Sequence, residues 1–361
     1  MMHQNCSRLT LLLAVTVFPA FAHAGDEKEP ETITNSIQMK LTLVPSGEFT
    51  MGSNESNADL RKVFGDAAFE SCADESGKVQ TPDFSDEFPR HKVRITNAFY
   101  MGTYHVTLGQ FLVFYHDAKY KCQCERDGKG GWGYDPKSEK KIYRSTAFVP
   151  WSWGFAGQTM EHPVVNVTWN DAVAFCEWLS KREGKNYRLP TEAQWEYACR
   201  AGTTTRFYNG DDPRGVVLVG NVADATAKRQ FPWWKDTADA HDGYAFTAPV
   251  GQFKPNAFGL YDMHGNAWQW CSDHYSETYY AKSPVDDPQG PAAGRNRVAR
   301  GGGWGGGPIG CRASDREGFA PTLCDYCIGF RVVCEPYPFA PLVVANNRKS
   351  ALKPERATQP E

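Results

Sequence analysis

The 361-residue chain lacks an excess of charge of either sign: 39 lysines and arginines face 42 acidic residues, a net charge of −3. No basic stripe runs through it, which excludes nucleic-acid binding by counterion release. Long apolar runs are also missing. One stands near the start, Leu9 to Ala22, and it is short for a membrane span, which needs about 20 residues. No G-x-S-x-G, H-E-x-x-H or phosphate-loop pattern occurs, so hydrolase and nucleotide chemistry have no carrier. The nine histidines are scattered; His91, His105, His162, His241, His264 and His274 read as structural or surface residues. Regular βαβ alternation is absent, which excludes a doubly wound sheet.

What is there begins with an export signal. Arg8 precedes the apolar run, and Ala22-His23-Ala24 is a small-x-small cleavage pattern. Residues 1–24 therefore read as a signal peptide with the mature chain starting at Gly25; the alternative is an uncleaved anchor. Cleavage removes one basic residue and Cys6, leaving 38 basic against 42 acidic residues and ten cysteines. The destination is periplasmic or extracellular, where disulfides are the default reading of cysteine.

Residues 25–37 read as a flexible leader. Met39 to Met51 alternates around Pro45-Ser46-Gly47 and predicts a hairpin. An acidic irregular loop follows at 53–86, then a strand over His91–Tyr100. Thr107 and Gln110 form a capping box that opens a helix to His116. Residues 118–160 are a Gly- and aromatic-rich insertion carrying Cys122-Gln123-Cys124. Ala172, Phe175, Cys176 and Leu179 share one helical face after Thr168, and Gly184 ends that helix. Thr191 and Gln194 cap another helix, which stops at Gly202. Short strands and long loops run to Arg331, and 336–361 reads as a disordered tail. Helices first and irregular strands later make this an α+β domain over 38–335.

Several segments, in order, carry a resemblance. They include Pro45-Ser46-Gly47-Glu48-Phe49-Thr50-Met51-Gly52, Glu87-Phe88-Pro89-Arg90-His91, His162-Pro163-Val164 and the run from Trp169 to Gly202. Gly259 to Trp270, Arg300-Gly301-Gly302 and Gly329-Phe330-Arg331 complete the set. In these the chain resembles the formylglycine-generating-enzyme (sulfatase-modifying-factor) family. The resemblance implies a C-type-lectin-like fold with little regular secondary structure.

It also implies calcium. One site would use Asn221, the Val222 carbonyl, Asp242 and the Tyr244 carbonyl. A second would use Asp262, the Gly265 and Ala267 carbonyls and Gln269, where the family commonly has Glu in place of Gln269 and often Asn in place of Asp262. Read without the family, the oxygens of Asp262, Asn266 and Gln269 surround a glycine turn, a mixture that suits a hard cation or caps the turn. Two disulfides are implied as well, Cys199–Cys311 and Cys176–Cys334.

Family enzymes oxidise a sulfatase cysteine to formylglycine with two copper-binding thiolates placed after R-G-G. Paired thiolates suit Cu(I), a soft ion. Here no cysteine lies between Gly303 and Cys311, the loop is shorter, and Gly303 stands at the family's oxygen-site serine. Trp268 matches the family's oxygen-pocket tryptophan. The candidate pocket is Trp268, Gly303 and Trp304, and copper has no paired thiols at the expected place. Cys122-Gln123-Cys124 and Cys324-Asp325-Tyr326-Cys327 read as disulfide cysteines. The sharper alternatives are a shared four-thiolate zinc site or relocated copper thiols, with Cys324 and Cys327 the candidates.

Three functions follow from this pattern. The preferred one is an exported peptide- or protein-binding or maturation factor without the copper oxidase site, its partner a protein such as an exported sulfatase. The second is an oxidase with relocated copper thiols. The third is a calcium-dependent carbohydrate- or protein-binding module.

Overall fold

A computed structural model describes residues 30–70, 72–73, 79–80 and 82–336. The signal segment at 1–24, Cys6, the side chain of Cys72 and the tail beyond Pro336 lie outside the described residues. None of the helices described is long and apolar enough to cross a membrane.

Capping chemistry sets the helices. Thr107 accepts from the Gln110 N–H and the Gln110 side chain returns to the Thr107 N–H, opening the helix Leu108–Asp117. The same reciprocal box starts Trp169–Glu183 from Thr168 and Glu192–Arg200 from Thr191. Gly184 ends the longer helix at φ +65°, a left-handed conformation that costs glycine nothing. The third helix ends on Ala201, also left-handed, one residue before the expected Gly202.

The strands depart from the expected hairpin. Lys40–Val44 and Gly47–Met51 are both strands, but they part at Pro45-Ser46 and join different sheets. Lys40–Val44 pairs with Phe99–Gly102, and Gly47–Met51 pairs with His91–Ile95. The expected strand over 91–100 is accordingly two strands. Each half of the alternating run finds a separate apolar surface, so the turn residues redirect the chain instead of reversing it.

Two further expectations change. The segment read as a flexible leader is ordered from residue 30: Thr32–Thr34 forms the edge strand on Lys40–Val44. Ile37 is buried and Ser36 hydrogen-bonds Glu183. The acidic stretch after residue 52 contains a helix, Asn57–Phe64, capped by Ser56 and packed through Leu60. Its charged face hid a single apolar anchor from a periodicity argument.

The main sheet runs in the order Thr32–Thr34, Lys40–Val44, Phe99–Gly102, Val333–Cys334, Tyr187–Arg188. Against it pack the first two helices through Phe111, Phe114, Phe175 and Leu179, closed by Phe330. A second sheet runs Arg316–Phe319, Arg297–Arg300, Trp268–His274, Ile328–Gly329, the last pair parallel. Trp268 and Trp270 both meet Phe319 edge-on, at 6.1 and 6.2 Å, so they share a face as the strand alternation requires. The insertion holds the short helix Gln123–Arg126 and a hairpin of Gly131–Tyr134 with Ile142–Ser145.

Buried ion pairs tie the third helix to these strands. Glu196 pairs with Arg300 and, at 2.8 Å, with Arg200. Glu192 takes Arg316 through two bonds of 2.7 and 2.9 Å. Burial alone would raise the Glu192 carboxyl, but Arg316 and Arg300 hold it below its usual range. Arg312 binds Glu87 through both terminal nitrogens, at 2.9 and 2.7 Å.

Removing one partner of such a pair strands the other charge. Glu196→Gln is expected to cost about 3–5 kcal/mol, seen as a lower urea midpoint. A midpoint within error of the parent would disprove the anchoring role. The Asp273 carboxyl, raised to about 7 by burial and the nearby Glu192, gives a pH test. Its folded value lies above its unfolded one, so the folded state holds the extra proton between roughly pH 4 and 7. Stability from this group therefore falls as pH rises through that window, by at most about 1.4 kcal/mol per pH unit. Asp273→Asn should flatten the loss of melting temperature between pH 5 and pH 8; an unchanged slope rules the assignment out.

Candidate functional site

The glycine run Gly301–Gly307 leaves the strand Arg297–Arg300 and crosses the start of Trp268–His274. Its backbone lies closer to its neighbours than side chains would allow. A Cβ on Gly302 would stand 2.3 Å from the Cys311 sulfur, and one on Gly307 1.9 Å from an Asp236 carboxylate oxygen. At Gly303 the Cβ position lies 3.2 Å from the Cys327 carbonyl oxygen, 3.3 Å from Cys327 Cβ and 3.3 Å from Trp268 Cδ1. A serine there would push on Cys327 or the indole by a few tenths of an ångström. The glycine is thus matched to Cys327, whose carbonyl also accepts from the Trp268 N–H at 2.8 Å.

The structure brings together Trp268 and Gly303 but turns Trp304 elsewhere. Trp304 is fully buried, stacked among Trp153, Phe231, Trp234, Phe246 and Tyr326 with centroids 5.3–5.9 Å away. It anchors the core beneath the groove instead of lining it. The groove wall is Trp234 and Tyr326, 3.4 and 3.9 Å from a Cβ at Gly305. Beside them Trp233 is 56% exposed. Burial raises the Asp236 carboxyl to about 6. The Trp233-Trp234 pair was the sequence signal for this wall, and the glycine run drew attention away from it.

The low-priority copper thiols do not face a common centre. Cys327 lies 2.9 Å from Asp325 Oδ1, and burial followed by that carboxylate raises its thiol well above the ordinary range. Cys324 turns instead to the Asn166 carbonyl, at 3.3 Å, and to Cys124. Among the described residues no three His, Cys, Asp or Glu side chains are grouped to hold a metal ion. The nine described cysteines are free thiols. Cys199 Sγ faces the Met263 carbonyl and the His264 ring, and Cys334 Sγ the Glu335 carbonyl, so neither implied pair is bonded here.

The two oxygen quartets differ in fit for calcium. At the first, Asn221 Oδ1 is buried without a partner while its Nδ2 donates to the Phe246 carbonyl at 2.7 Å. The Val222 and Tyr244 carbonyls accept no hydrogen bond among the described residues. The Asp242 carboxylate accepts from the N–H groups of Val222 and Tyr244 at 2.9 and 2.8 Å. Burial, helped by the adjacent Asp224 carboxylate, raises it to about 7 against those two hydrogen bonds. Spare oxygens around a buried acid are what a hard cation takes, so these residues fit.

At the second quartet only Asp262 Oδ1 is buried and free. Gln269 Oε1 accepts from Trp195 Nε1 at 2.7 Å and from Arg331 Nε, which uses both lone pairs. The Ala267 carbonyl accepts from His105 Nε2 at 2.8 Å, and the Gly265 carbonyl from the Ala267 N–H at 2.9 Å. The Arg331 guanidinium also reaches the Tyr261 and Asp262 carbonyls at 2.8 and 3.3 Å. An internal cation already sits among these oxygens, so the second quartet does not fit calcium. His264, inside that loop, is neutral and structural: it donates from Nδ1 to the Cys311 carbonyl at 2.7 Å and accepts the Tyr208 N–H at 3.0 Å.

Larger cavities lie away from the groove. One of about 600 Å³ is bounded by Arg188, Gln194 and Glu335, and one of about 790 Å³ by Thr42, Tyr104 and Tyr261. Neither contains a chemically activated group.

Comparison with known proteins places this geometry. Residues 27–336 match the family described as the sulfatase-modifying factor enzyme 1-like domain. The chain is 32% identical over 287 residues to the formylglycine-generating enzyme of Bos taurus, covering 73% of this chain and 66% of that one. It is 32% identical over 301 residues to the formylglycine-generating enzyme of Streptomyces coelicolor, covering 79% and 83%. Among solved structures, PvdO from Pseudomonas aeruginosa superposes with a TM-score of 0.61 at 28% identity, over 86% of this chain and all of that one.

Calcium should raise the melting temperature, by an amount equivalent to about 2.7 kcal/mol at a hundredfold excess over the dissociation constant. Asp242→Asn should remove most of that rise and Asp262→Asn little of it. Equal losses in the two variants would refute the assignment to a single quartet.

Proposed function

Since the chain belongs to the sulfatase-modifying factor family, we propose that it is an exported peptide- or protein-binding maturation factor that works without the family's copper thiols. The observation that carries this reading is the loop after Arg300. It has no sulfur between Gly303 and Cys311, and both thiols beside Gly303 are held protonated: Cys311 by burial, and Cys327 by burial and Asp325. A thiol in that state is a poor soft-metal ligand. The part of the run left at the surface is Gly305 and Gly306, with Trp234 and Tyr326 beside Gly305. Glycine admits close approach of another backbone, and aromatic walls supply contact area at low entropy cost.

Calcium enters the proposal as a structural ion at Asn221, Val222, Asp242 and Tyr244. It would neutralise the Asp242 carboxylate and hold the loop that carries Tyr244 and Phe246 against Trp304. A family partner is a sulfatase, so the peptide class to try first is a segment spanning a sulfatase's modified cysteine.

The test is binding with chemical readout. A fluorescent peptide of that class should bind the mature chain, and Trp233→Ala should weaken it about tenfold or more, as loss of an exposed aromatic anchor does. After copper loading and aeration the peptide cysteine should keep its mass. Conversion of that cysteine to an aldehyde would establish the oxidase instead, and absence of any binding would remove the maturation-factor reading.

A further inference from the structure

The insertion and the segment after Arg316–Phe319 each contribute thiols that the groove does not use. Cys122 sits at the N-cap of the short helix Gln123–Arg126, its N–H donating to the Glu125 carboxylate at 2.8 Å. Cys124 follows on the buried side of that turn, and Cys324 arrives 200 residues later in the chain. All three belong to one apolar core cluster and are at most 1% exposed. Cys124 is the neighbour that Cys122 and Cys324 share: each of those thiols interacts with Cys124. The sulfurs therefore form a chain with Cys124 in the middle, not a ring around a metal-sized centre, in line with the lack of any metal-holding group among the described residues.

Independent contacts hold this meeting in place. Asn166, left-handed at φ +59°, donates its N–H to the Asp325 carbonyl at 2.8 Å. Its side chain accepts from the Trp132 N–H and donates to the Trp132 carbonyl, both at 2.9 Å. One residue thus joins the insertion's hairpin to the Cys324 loop, and its own carbonyl lies 3.3 Å from the Cys324 sulfur. The Gly130 N–H donates to the Cys124 carbonyl at 2.9 Å, which closes the turn over the sulfur.

We propose that Cys124 is the pivot of a thiol–disulfide site: it bonds to Cys324, stapling the 118–160 insertion to the groove wall, and Cys122 is the resolving thiol that displaces Cys324. The oxidant is a low-molecular-weight disulfide. The Cys124 thiolate attacks one of its sulfurs and releases one thiolate, leaving a mixed disulfide. Cys324 gives its proton to the released thiolate and attacks the Cys124 sulfur, expelling the second thiolate. Two protein sulfurs are oxidised by two electrons, and the external disulfide is reduced to two thiol equivalents. Exchange to Cys122 needs no further oxidant: its sulfur attacks Cys124, Cys324 leaves, and the proton passes from Cys122 to Cys324.

The neighbouring Cys122 thiol and then Cys324 lower the Cys124 thiol against its burial, which favours the attacking thiolate at Cys124 over the other two sulfurs. Burial of all three sulfurs means that reaction waits on opening of the insertion. The consequence reaches the groove, because Cys324 leads through Asp325 and Tyr326 to Cys327, the neighbour of Gly303 and Trp268. The site stands apart from the peptide-binding reading and holds whether or not a peptide binds.

The experiment uses the full mature chain, reduced, then treated with oxidised glutathione, alkylated and digested without reductant. Fragment sequencing by mass spectrometry should show Cys124 linked to Cys324 as the dominant link of the trio, with Cys122 alkylated. Cys122→Ser should keep that link, and Cys324→Ser should shift it to Cys122–Cys124. Mapping of the unaltered chain decides the matter even if a variant fails to fold. The proposal is overturned if all three residues remain alkylated after oxidation, or if Cys324 is found linked to a cysteine outside the trio.

Discussion

Four arginines with buried side chains, Arg300, Arg312, Arg316 and Arg331, organise this molecule. A desolvated guanidinium needs most of its donors answered, as these are (Arg300 Nε alone stays without a partner among the described residues), and the answers come from distant parts of the chain. Arg300 meets Glu196 and the carbonyls of Ala313, Ser314 and Asp315. Arg316 meets Glu192, Asp86 and the Ser276 carbonyl. Arg312 reaches back to Glu87, 225 residues earlier. Such planar forks supply fixed geometry where long regular elements are scarce. A domain made largely of loops can then hold those loops in one arrangement, because moving any one strands a charge.

The same logic separates the two oxygen clusters. Both gather carbonyls and an acid around a tight turn, and both look alike as sequence. At Asp262 the cation is part of the protein: Arg331 reaches in from the strand-forming C-terminal segment and consumes the oxygen of Gln269. At Asp242 no arginine or lysine among the described residues reaches the acid, and the charged group acting on it is another carboxylate, Asp224. A buried acid beside a second acid and an unpartnered amide oxygen is electrically incomplete, whereas the Arg331 cluster is closed. The difference lies in which distant residue arrives, and that cannot be read from the spacing of the ligands themselves.

The sequence was most legible where local chemistry decides the outcome. Thr107, Thr168 and Thr191 cap their helices as their spacing to Gln110, Asp171 and Gln194 requires, and Gly184 stops its helix in the left-handed region. It was least legible where one segment serves two surfaces. The alternation of Met39–Met51 is real, yet Pro45-Ser46 sends its halves to separate sheets. Thr32–Thr34 has no apolar pattern of its own and becomes a strand because Lys40–Val44 offers an open edge. Trp304 reads like a groove residue from its glycine neighbours, but five aromatic rings supplied by other loops draw it into the core. Each miss has one cause: the deciding partner is far away in the chain.

The same dependence on distant partners shapes the loop after Arg300. A loop of seven residues between Gly303 and Cys311 is too short to carry paired thiols and also cover Trp268. The covering is supplied instead by the segment Cys324–Cys327, which pairs in parallel with the tryptophan strand through Ile328 and Gly329. A side chain at 303 would have to shift Cys327 or the Trp268 indole by a few tenths of an ångström, so glycine at 303 and cysteine at 327 belong to one packing solution. Changing the first residue toward serine without moving the second would crowd the indole and restore no sulfur. The covering segment and the insertion packed behind Cys324 are therefore tied to the residue at 303, and a change there is felt across both.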